Sequence, residues 1–268
     1  MRIHILSIFP EMFSPLNESI IKKAREKGLI EIDLVNFRDY TASKHKNVDD
    51  YPYGGGAGMV LKPEPIFAAV RNLSLKAQPK IVLMSPQGAV FSQETAQELA
   101  REEELVFICG HYEGFDERIR TLADMEISIG DYVLTGGELA AMVVIDSTVR
   151  LLPGVLGEAE SSEDDSFAAG FLEYPQYTRP PEFEGMEVPA VLLSGDHARV
   201  AAWRRKEALR RTLLKRPEIF RPERLAAADF PLLRELMAED ERIRQLSVRW
   251  LSFEPLPRSK RSRRLELE

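Results

Sequence analysis

The chain has 268 residues, 44% of them hydrophobic, which is enough for one large or two modest domains with a buried core. Its single cysteine excludes an internal disulfide and fits a reducing cytoplasm, its four histidines lack metal-ligand spacing, and its net charge of −7 argues mildly against nucleic acid as a partner. No apolar run approaches the roughly 18 residues of a membrane span, and the N-terminus is typical of a buried strand rather than a signal peptide.

Strand-like and helix-like stretches alternate along the first 150 residues. The strand-like runs are 2–9, 30–37, 80–85, 105–110 and 127–134, and the helix-like stretches are roughly 10–27, 63–73, 91–103, 116–123 and 137–150. This alternation predicts an α/β fold with a mostly parallel sheet that is covered on both faces. Ligands of such sheets bind at the carboxyl ends of the strands.

The pattern changes after about residue 153. Residues 153–170 are acidic and aperiodic and contain glycine, which predicts a flexible linker. Further on, residues 198–220 show the pattern of a basic amphipathic helix, and a last helix-like stretch covers 231–247. The predicted organisation is an α/β domain over 1–157, a flexible linker over 158–170 and a small, mostly helical domain over 171–268.

Glycine-rich segments lie at the ends of three of the predicted strands: QG (87–88) and GHYEG (110–114) follow the third and fourth, and IGDYVLTGGEL (129–139) lies at the end of the fifth. A fourth glycine-rich segment, YPYGGGAGMV (51–60), lies between strands. None is a Walker loop or the glycine fingerprint of a dinucleotide fold. One such loop is as well explained by a simple turn, whereas three at one edge of a sheet favour a small-molecule pocket built from backbone amides.

Charge is segregated along the chain. Residues 199–224 hold ten Lys or Arg against three Glu, and 257–264 add five basic residues, whereas 158–165 hold five acids and no base. A basic patch, rather than the total charge, determines whether a polyanion is attracted. For either basic stretch taken alone, a solvated helix face is an equally good interpretation.

A series of longer motifs carries a family resemblance. The segments occur in the order FPEMF, DDYPYGGGAGM, SPQG, CGHYEGFDERI, SIGDYVLTGGELAAM, RLLPGVLG, DSF, YPQYTRP, VPAVLLSGDHA and WRRKEAL. Together they resemble the bacterial tRNA (guanine-N1)-methyltransferase family, TrmD, of the SPOUT superfamily, from residue 1 to about residue 220. The linker spelling EAESSED departs from the commonest family pattern, although the DSF that ends it is present.

The resemblance implies an enzyme that transfers a methyl group from S-adenosylmethionine to N1 of the guanine at position 37 of tRNA. It also implies a deep trefoil knot of the SPOUT type around the third to fifth strands, a feature that is rare among folds. A homodimer with shared tRNA sites follows as well, and the nearly continuous apolar run in 137–150 offers surface for it, with a buried core helix as the alternative. Neither a membrane, nor DNA, nor a metal ion is expected as a partner.

The family pattern assigns the methyl donor to the glycine loops. Gly130 should admit the ligand closely, and Ile129, Val133 and Leu134 should contact its adenine. Glu113 is a candidate for the polar groups of the ligand, with a structural cap as its alternative role. The full set of implied donor-binding residues is Pro86, Gly110, Glu113, Ile129, Gly130, Asp131, Tyr132, Val133, Leu134, Gly136 and Gly137.

The reaction needs a base, because N1 of guanine carries a proton at neutral pH, and a positive group where charge develops on O6. Asp165 matches the base position of the family, and Arg150 matches its arginine. Without the resemblance, Asp165 would be one more solvated acid beside Asp164, and Arg150 would be an ordinary cation at a helix C-terminus.

The charge segregation fits a tRNA substrate, since tRNA contacts are largely contacts between phosphate and Lys or Arg. The basic helix should bind the anticodon arm, and Lys44, His45 and Lys46 should add to this from the other subunit. Ser161 and Ser166 are further donors for phosphate or base. The arginines predicted to contact tRNA are Arg204, Arg205, Arg210 and Arg211.

Other functions remain open from the residues. A SPOUT-type RNA methyltransferase that modifies a different RNA site would carry the same glycine loops. An RNA-binding protein without catalysis, whose pocket no longer binds a donor, is a second alternative. A nucleotide-dependent oxidoreductase is the weakest, because the dinucleotide fingerprint is absent.

Overall fold

The computed structural model describes residues 1–156, 166–167 and 170–247. The chain divides into two compact units, Met1–Ser162 and Glu163–Glu268. Most of the predicted linker, with Ser161 and Asp165, lies outside the described residues. In the described part, none of the helices combines the length and apolar character needed to cross a bilayer.

Unit 1 contains a five-stranded sheet that is parallel throughout. Its strands are β1 (Arg2–Ser7), β2 (Glu31–Asn36), β5 (Lys80–Val90), β6 (Glu104–Cys109) and β7 (Met125–Ser128), in the spatial order β2-β1-β6-β5-β7. A separate antiparallel pair of two residues each joins β3 (Asp49–Asp50) to β4 (Val60–Leu61). The predicted α/β class with a mostly parallel sheet is therefore confirmed.

Helical segments cover both faces of this sheet, as predicted. The α-helices are α1 (Ser19–Glu26), α2 (Pro63–Arg71), α3 (Gln93–Leu99) and α4 (Glu138–Val149), and 3-10 helices cover Pro10–Asn17, Phe37–Tyr40 and Glu117–Leu122. Alternate residues of β6 separate the two cores, since Leu105 and Phe107 belong to one and Val106 and Ile108 to the other. The strand is buried along its whole length, as expected for the centre of a doubly covered sheet.

Several predicted elements differ from the structure, and the last predicted helix, 231–247, is two helices that are separated at Asp240. The stretch 10–27 is a 3-10 helix followed by α1, because Pro15 interrupts helical hydrogen bonding and Glu18 is extended. The strand predicted over 127–134 ends at Ser128, so that residues 129–134 form a loop. The difference over 10–27 is confined to the type of helix. The early end of β7, by contrast, exposes residues 129–134, which were expected to pair in the sheet.

Unit 2 is built around α5 (His197–Lys215), α6 (Asp229–Glu239) and α7 (Glu241–Ser247). A short antiparallel hairpin of β8 (Glu182–Phe183) and β9 (Met186–Glu187) precedes them, and 3-10 turns cover Ala190–Leu193, Pro217–Ile219 and Pro222–Arg224. The backbone N–H of Arg199 donates to Asp196 Oδ1, which caps the start of α5. The core of the unit consists of Phe171, Leu209, Leu213, Phe220, Leu233, Leu236 and Ile243.

Candidate functional site

A cavity of about 350 Å³ lies at the carboxyl ends of β6 and β7 and beside residues 84–87 in the middle of β5, against the first turns of α4. This is the edge of a parallel sheet where ligands bind, and the volume falls in the range of about 300–1,000 Å³ for small-molecule pockets. The wall consists of Met84, Ser85, Pro86, Gln87, residues 110–115, Glu117, Arg120, residues 127–130 and 132–137, and Ala140.

The structure brings together almost all of the residues predicted to bind the donor. Those that line the cavity are Pro86, Gly110, Glu113, Ile129, Gly130, Tyr132, Val133, Leu134, Gly136 and Gly137. Asp131 is the exception, since it is exposed and does not contribute to the wall. Three separate stretches of chain therefore converge on one cavity.

Where the 110–114 loop meets the 129–137 loop, the two backbones pack too closely for side chains, which explains why glycines occur there. The N–H of Gly137 donates to the carbonyl of Gly110 at 2.9 Å, and a β-bridge pairs His111 with Gly136. A Cβ on Gly137 would stand 3.0 Å from both the Cα of Cys109 and the N of Gly110, and the backbone atoms there cannot move aside. Glycine at this position thus lets α4 begin directly over the end of β6.

Gly88 has a different role from the one predicted. It lies inside β5, which continues to Val90, and a Cβ there would stand 2.4 Å from the backbone carbonyl carbon of Glu126 in β7. The glycine therefore serves the close approach of two strands, at a point where the register of β5 and β7 shifts. Gly88 therefore neither forms the turn that was the alternative nor lines the cavity.

Local hydrogen bonds explain why residues 129–134 leave the sheet. The Oγ of Ser128 donates to the carbonyl of Gly130 at 3.0 Å, and the N–H of Tyr132 donates to the same carbonyl at 2.9 Å. Gly130 has a φ of +150°, a conformation that side chains disfavour. The chain turns here, and Val133, 86% exposed, faces away from the core.

Polar side chains that the sequence did not single out also reach the cavity. Arg120 lines it and forms ion pairs with Glu117 and Glu126. Burial acts to lower the pKa of Arg120, but the hydrogen bonds and negative charges of Glu126 and Glu117 together outweigh burial, and the pKa lies above its ordinary value. Arg120 therefore remains a cation in the wall, which only the fold could reveal, because the DERIR motif is typical of an ordinary charged helix.

Glu113 connects the cavity to the fourth glycine-rich segment. Its N–H donates to the carbonyl of Met59 at 3.0 Å. A Cβ on Gly58 would stand 2.3 Å from Glu113 Oε1, so the side chain lies directly against that glycine. The loop 51–60 is therefore packed beside the rim of the cavity, with Tyr53 fully exposed on it.

The predicted catalytic pair is only partly described. Arg150 caps the C-terminal end of α4, is half-buried, and does not line the cavity. Asp165 and Ser161 lie outside the described residues. Ser166 belongs to unit 2, where its Oγ accepts the N–H of Glu173 at 3.0 Å.

The arginines of the basic helix divide into two classes. Arg205 binds both carboxylate oxygens of Asp229, and Arg210 binds Glu207 and Glu239, so these two stabilise unit 2 internally. Arg204 lies over the ring of Tyr174, 4.8 Å from its centroid, and is exposed. Within the described ranges, neither Arg204 nor Arg211 forms an ion pair.

The described part of the chain contains no cluster of side chains that could bind a metal ion. Among residues 1–156, 166–167 and 170–247, no three His, Cys, Asp or Glu side chains come together in a way that could hold an ion. The cavity is thus bounded by backbone, apolar side chains and a few polar groups.

The amino-acid sequence is similar to those of proteins of one known family. A profile of the family described as tRNA (Guanine-1)-methyltransferase TrmD matches residues 1–222. A tRNA (guanine-N(1)-)-methyltransferase of Desulfitobacterium hafniense (strain Y51) is 63% identical over 262 residues, covering 97% of this chain and 100% of the relative. Proteins of the same name from Dictyoglomus turgidum (strain DSM 6724 / Z-1310) and Geobacillus kaustophilus (strain HTA426) are 56% and 63% identical, covering 89% and 82% of this chain and 98% and 91% of the relatives.

Proposed function

The chain belongs to the tRNA (guanine-1)-methyltransferase (TrmD) family, and we propose that it methylates N1 of the guanine at position 37 of tRNA, next to the anticodon. The observation that carries the proposal is a family match extending over residues 1–222, which includes every loop of the cavity. A SPOUT-type enzyme with a different RNA target is the alternative. It is not favoured, since the relatives all carry the guanine-N1 name.

S-adenosylmethionine is the proposed methyl donor, and the described cavity fits a molecule of this kind. Apolar groups of Ile129, Val133 and Leu134 suit an adenine, and backbone N–H and C=O groups of the glycine loops suit its polar edge. The cation of Arg120 and the carboxylate of Glu113 provide opposite charges for the carboxylate and ammonium of an amino acid. When bound, the donor supplies an already activated methyl group.

The acceptor sets the chemical demand on the protein. Guanine N1 must lose a proton as the methyl group arrives, and negative charge develops on O6. We assign Asp165 as the base that takes this proton and Arg150 as the cation that stabilises O6, on the family pattern. An exposed Asp with a pKa of about 3.9 is a weak base, so exclusion of water around the guanine must strengthen it.

The proposed tRNA surface lies on unit 2 and follows from the division of its arginines. Arg204 and Arg211 carry no ion pair among the described residues and are therefore the better candidates for phosphate contacts with the anticodon arm. Ser161 and Ser166 are proposed as further hydrogen-bond donors to phosphate or base. Lys44, His45 and Lys46 are proposed to contribute from a second subunit.

A homodimer and a deep trefoil knot complete the proposal, and a tRNA substrate favours the cytoplasm as its location. The dimer is supported by exposed apolar residues on α4, where Leu139 and Val143 are 49% and 46% exposed and share a face because they are four residues apart. These exposures argue against the alternative of a wholly buried core helix. The knot rests on family membership.

The experiment that tests the function is to map the methylated atom. Unmodified tRNA is incubated with the protein and S-adenosylmethionine, and the product nucleoside is identified by mass spectrometry and by its position in the sequence. N1-methylguanine at position 37 is expected. A methyl group at another atom or another position would select the alternative enzyme, and no methylation by folded protein would favour an RNA-binding protein without catalysis.

A further inference from the structure

A pair of large aromatic side chains lies at the surface of unit 2. Tyr177 and Trp203 contact each other with ring centroids 6.4 Å apart and ring planes inclined by 52°. Tyr177 is 49% exposed and Trp203 is half-buried, and among the described residues neither belongs to the core of the unit or to the apolar side chains packed against it. Because large rings stabilise a fold mainly through burial, this pair calls for another role.

A second ring of the same stretch holds an arginine. The guanidinium of Arg204 lies 4.8 Å from the centroid of the Tyr174 ring, in a cation–π contact. Tyr174 precedes Tyr177 by three residues in a stretch without regular secondary structure, and Arg204 directly follows Trp203 in α5. Two ring contacts therefore fasten this stretch to one turn of the helix. Arg204 is itself exposed, so its cation is available to a ligand beside the aromatic pair.

The polar ends of the two rings are also available. Among the described residues, neither the hydroxyl of Tyr177 nor the indole N–H of Trp203 makes a hydrogen bond. Tyr and Trp at binding surfaces combine an apolar ring with a polar group that finds a partner there. A ligand of this pair should therefore offer a flat apolar face together with hydrogen-bond acceptors at its edge.

The charges around the pair favour an anionic ligand. The helix α5 holds seven Lys or Arg and one Glu, and that Glu is paired with Arg210. Two carboxylates of the adjoining chain, Glu173 and Asp196, accept hydrogen bonds from uncharged N–H groups and keep their negative charge. Within the described ranges, four of the seven cations of α5 form no ion pair: Arg199, Arg204, Arg211 and Lys215. Free cations therefore outnumber free carboxylates, and a polyanion is attracted.

An unpaired nucleobase meets each of these requirements. Its flat face stacks on aromatic rings, its edge carries acceptor atoms, and a phosphate adjoins it on each side. Bases inside an RNA helix are covered by their neighbours, so the ligand must be a single-stranded part of the RNA. The anticodon loop, which contains position 37, is such a part.

We propose that Tyr177 and Trp203 form a stacking platform for an unpaired base of the RNA substrate, with Arg204 placed to meet an adjoining phosphate. Tyr177 presents the exposed ring, Trp203 supports that ring from α5, and Tyr174 holds the guanidinium. The inference rests on the proposed function, because it takes the RNA to be the tRNA that the protein methylates. It adds a contact that does not depend on charge to the phosphate contacts of unit 2.

The first test leaves both rings of the platform unmutated. The chain has two tryptophans, so Trp250→Phe makes Trp203 the only source of indole fluorescence. Unmodified tRNA should quench this fluorescence and protect it from acrylamide. Unchanged accessibility in protein saturated with tRNA would overturn the platform. Protection that depends on protein concentration, and not on RNA, would assign the face to a second copy of the chain and would overturn it as well.

Affinity for tRNA across a salt series separates stacking from charge. Tyr177→Leu should weaken binding about tenfold, the order expected for one stacked base, while the slope of log affinity against log salt stays unchanged. Tyr177→Phe keeps the ring and should retain the affinity. The matched control is Phe183→Leu, which removes an exposed ring of the same unit that has no aromatic or cationic partner among the described residues. Equal losses in Tyr177→Leu and Phe183→Leu would overturn the platform.

A tRNA with a single abasic nucleotide in the anticodon loop identifies the stacked base. At one loop position, the loss from the missing base and the loss from Tyr177→Leu should not add, since both remove the same contact. Full additivity at every loop position would overturn the platform. Methylation of guanine N1 by a protein whose Trp203 stays accessible on tRNA would refute the platform alone, whereas a protected Trp203 without methylation would count against the proposed function alone.

Discussion

Arg205 donates two hydrogen bonds to Asp229, from Nε to Oδ1 and from Nη2 to Oδ2, both at 2.7 Å. The carboxylate is 3% exposed, and the guanidinium also lies over the ring of Phe171, 4.4 Å from its centroid. Burial acts to raise the pKa of Asp229, but the bonds from Arg205 and from the N–H of Ala226 hold it below its ordinary value. A residue of the basic helix is therefore part of the internal structure of unit 2.

We predict that Arg205→Ala destabilises the protein. Breaking a largely buried, bidentate ion pair leaves Asp229 without its main partner, and a loss of about 2–3 kcal/mol is expected for a pair with one partly exposed member. The midpoint of urea unfolding of the full chain measures the loss. Arg204→Ala is the control, because Arg204 is exposed and, among the described residues, makes a cation–π contact with Tyr174 and no ion pair. Equal stabilities of the two variants would contradict the structural role of Arg205.

Affinity for tRNA should follow the opposite pattern. Replacing Arg204 and Arg211 together with alanine should weaken tRNA binding and reduce the slope of log affinity against log salt by about 0.7–0.9 for each phosphate that is no longer neutralised. Filter binding at several salt concentrations measures both quantities. Arg242→Ala, which removes an exposed arginine paired with Asp240, is the matched control and should leave the slope unchanged. A double variant with an unchanged slope would show that these side chains only solvate the helix.

These two classes of arginine could not be separated from the sequence. The spacing of Leu209 and Leu213 correctly predicts an amphipathic helix, because helical periodicity is a local property. Whether Arg205 meets a phosphate or Asp229 depends on a residue 24 positions away, which only the fold brings near. Charge counts therefore predicted a basic helix but not the members of its free face.

For the cavity, too, some features could be predicted from the sequence and others depend on the fold. The glycines at 110, 136 and 137 were predicted at one site because parallel strands end at one edge. The loop over 129–134 was predicted as a strand, since its apolar residues match that pattern, and the turn at Gly130 overrides it. The approach of His111 Nδ1 and Glu138 Oε2 to Gly136 brings together residues 27 positions apart in different elements, and no sequence period links them.

Donor affinity should depend on the conformation of Gly130. Gly130→Ala introduces a side chain at a φ of +150°, and its Cβ would stand 2.5 Å from the Tyr132 ring, which lines the cavity. The loop must shift, and a loss of about tenfold or more in affinity for S-adenosylhomocysteine is expected from strain of about 1–3 kcal/mol. Calorimetry measures it.

The control for this loop is Gly28→Ala. Gly28 has a φ of +70° and no atom within 4 Å of its built Cβ, so it carries backbone strain without obstructing the cavity. It should lower stability while donor affinity stays unchanged. If Gly130→Ala binds the ligand as tightly as Gly28→Ala does, the 129–134 loop does not form the donor site.

Acid stability should depend on Glu104. This carboxylate is 1% exposed, accepts His4 Nε2 at 2.8 Å and Arg2 Nη1 at 3.2 Å, and accepts the backbone N–H groups of Lys76 and Ala77. Burial acts to raise the pKa of Glu104, but the hydrogen bonds from His4 and from the backbone N–H groups of Ala77 and Lys76 together outweigh burial, and the pKa is lowered. A lowered pKa in the folded state contributes stability that is present above the unfolded pKa of about 4.3 and is lost as the pH falls through the folded pKa.

Glu104→Gln should therefore destabilise the protein at neutral pH, and the difference from the unmutated protein should shrink as the pH falls below about 4. Urea unfolding across a pH series measures it. Glu31→Gln is the matched control: its carboxylate also pairs with Arg2 but is 61% exposed, so solvent screens the pair and the effect should be small. A Glu104→Gln deficit that is independent of pH would mean that shape, not charge, carries the contribution of this residue.

The final prediction concerns Asp165 and the proton on guanine N1. A methyl group on a sulfonium needs no further activation, so the protein's main chemical task is to remove that proton as the new bond forms. Asp165→Asn retains the size of the side chain and removes the proton acceptor. Single-turnover methylation should fall by about 10²–10⁴, the usual contribution of general-base catalysis. Binding of S-adenosylhomocysteine should persist, because every described wall residue of the cavity is unchanged.

Asp164→Asn is the closest control, since it removes an equal charge one residue away and so reproduces any general loss of negative potential. It should retain most of the single-turnover rate. Arg150→Lys should show an intermediate defect, because the lysine keeps the positive charge and loses the planar, multiple-donor geometry suited to O6. If Asp164→Asn and Asp165→Asn lose activity equally, the acidic segment acts through its overall charge and the base lies elsewhere. If neither loses activity while Arg150→Lys does, stabilisation of O6 rather than proton removal limits the reaction.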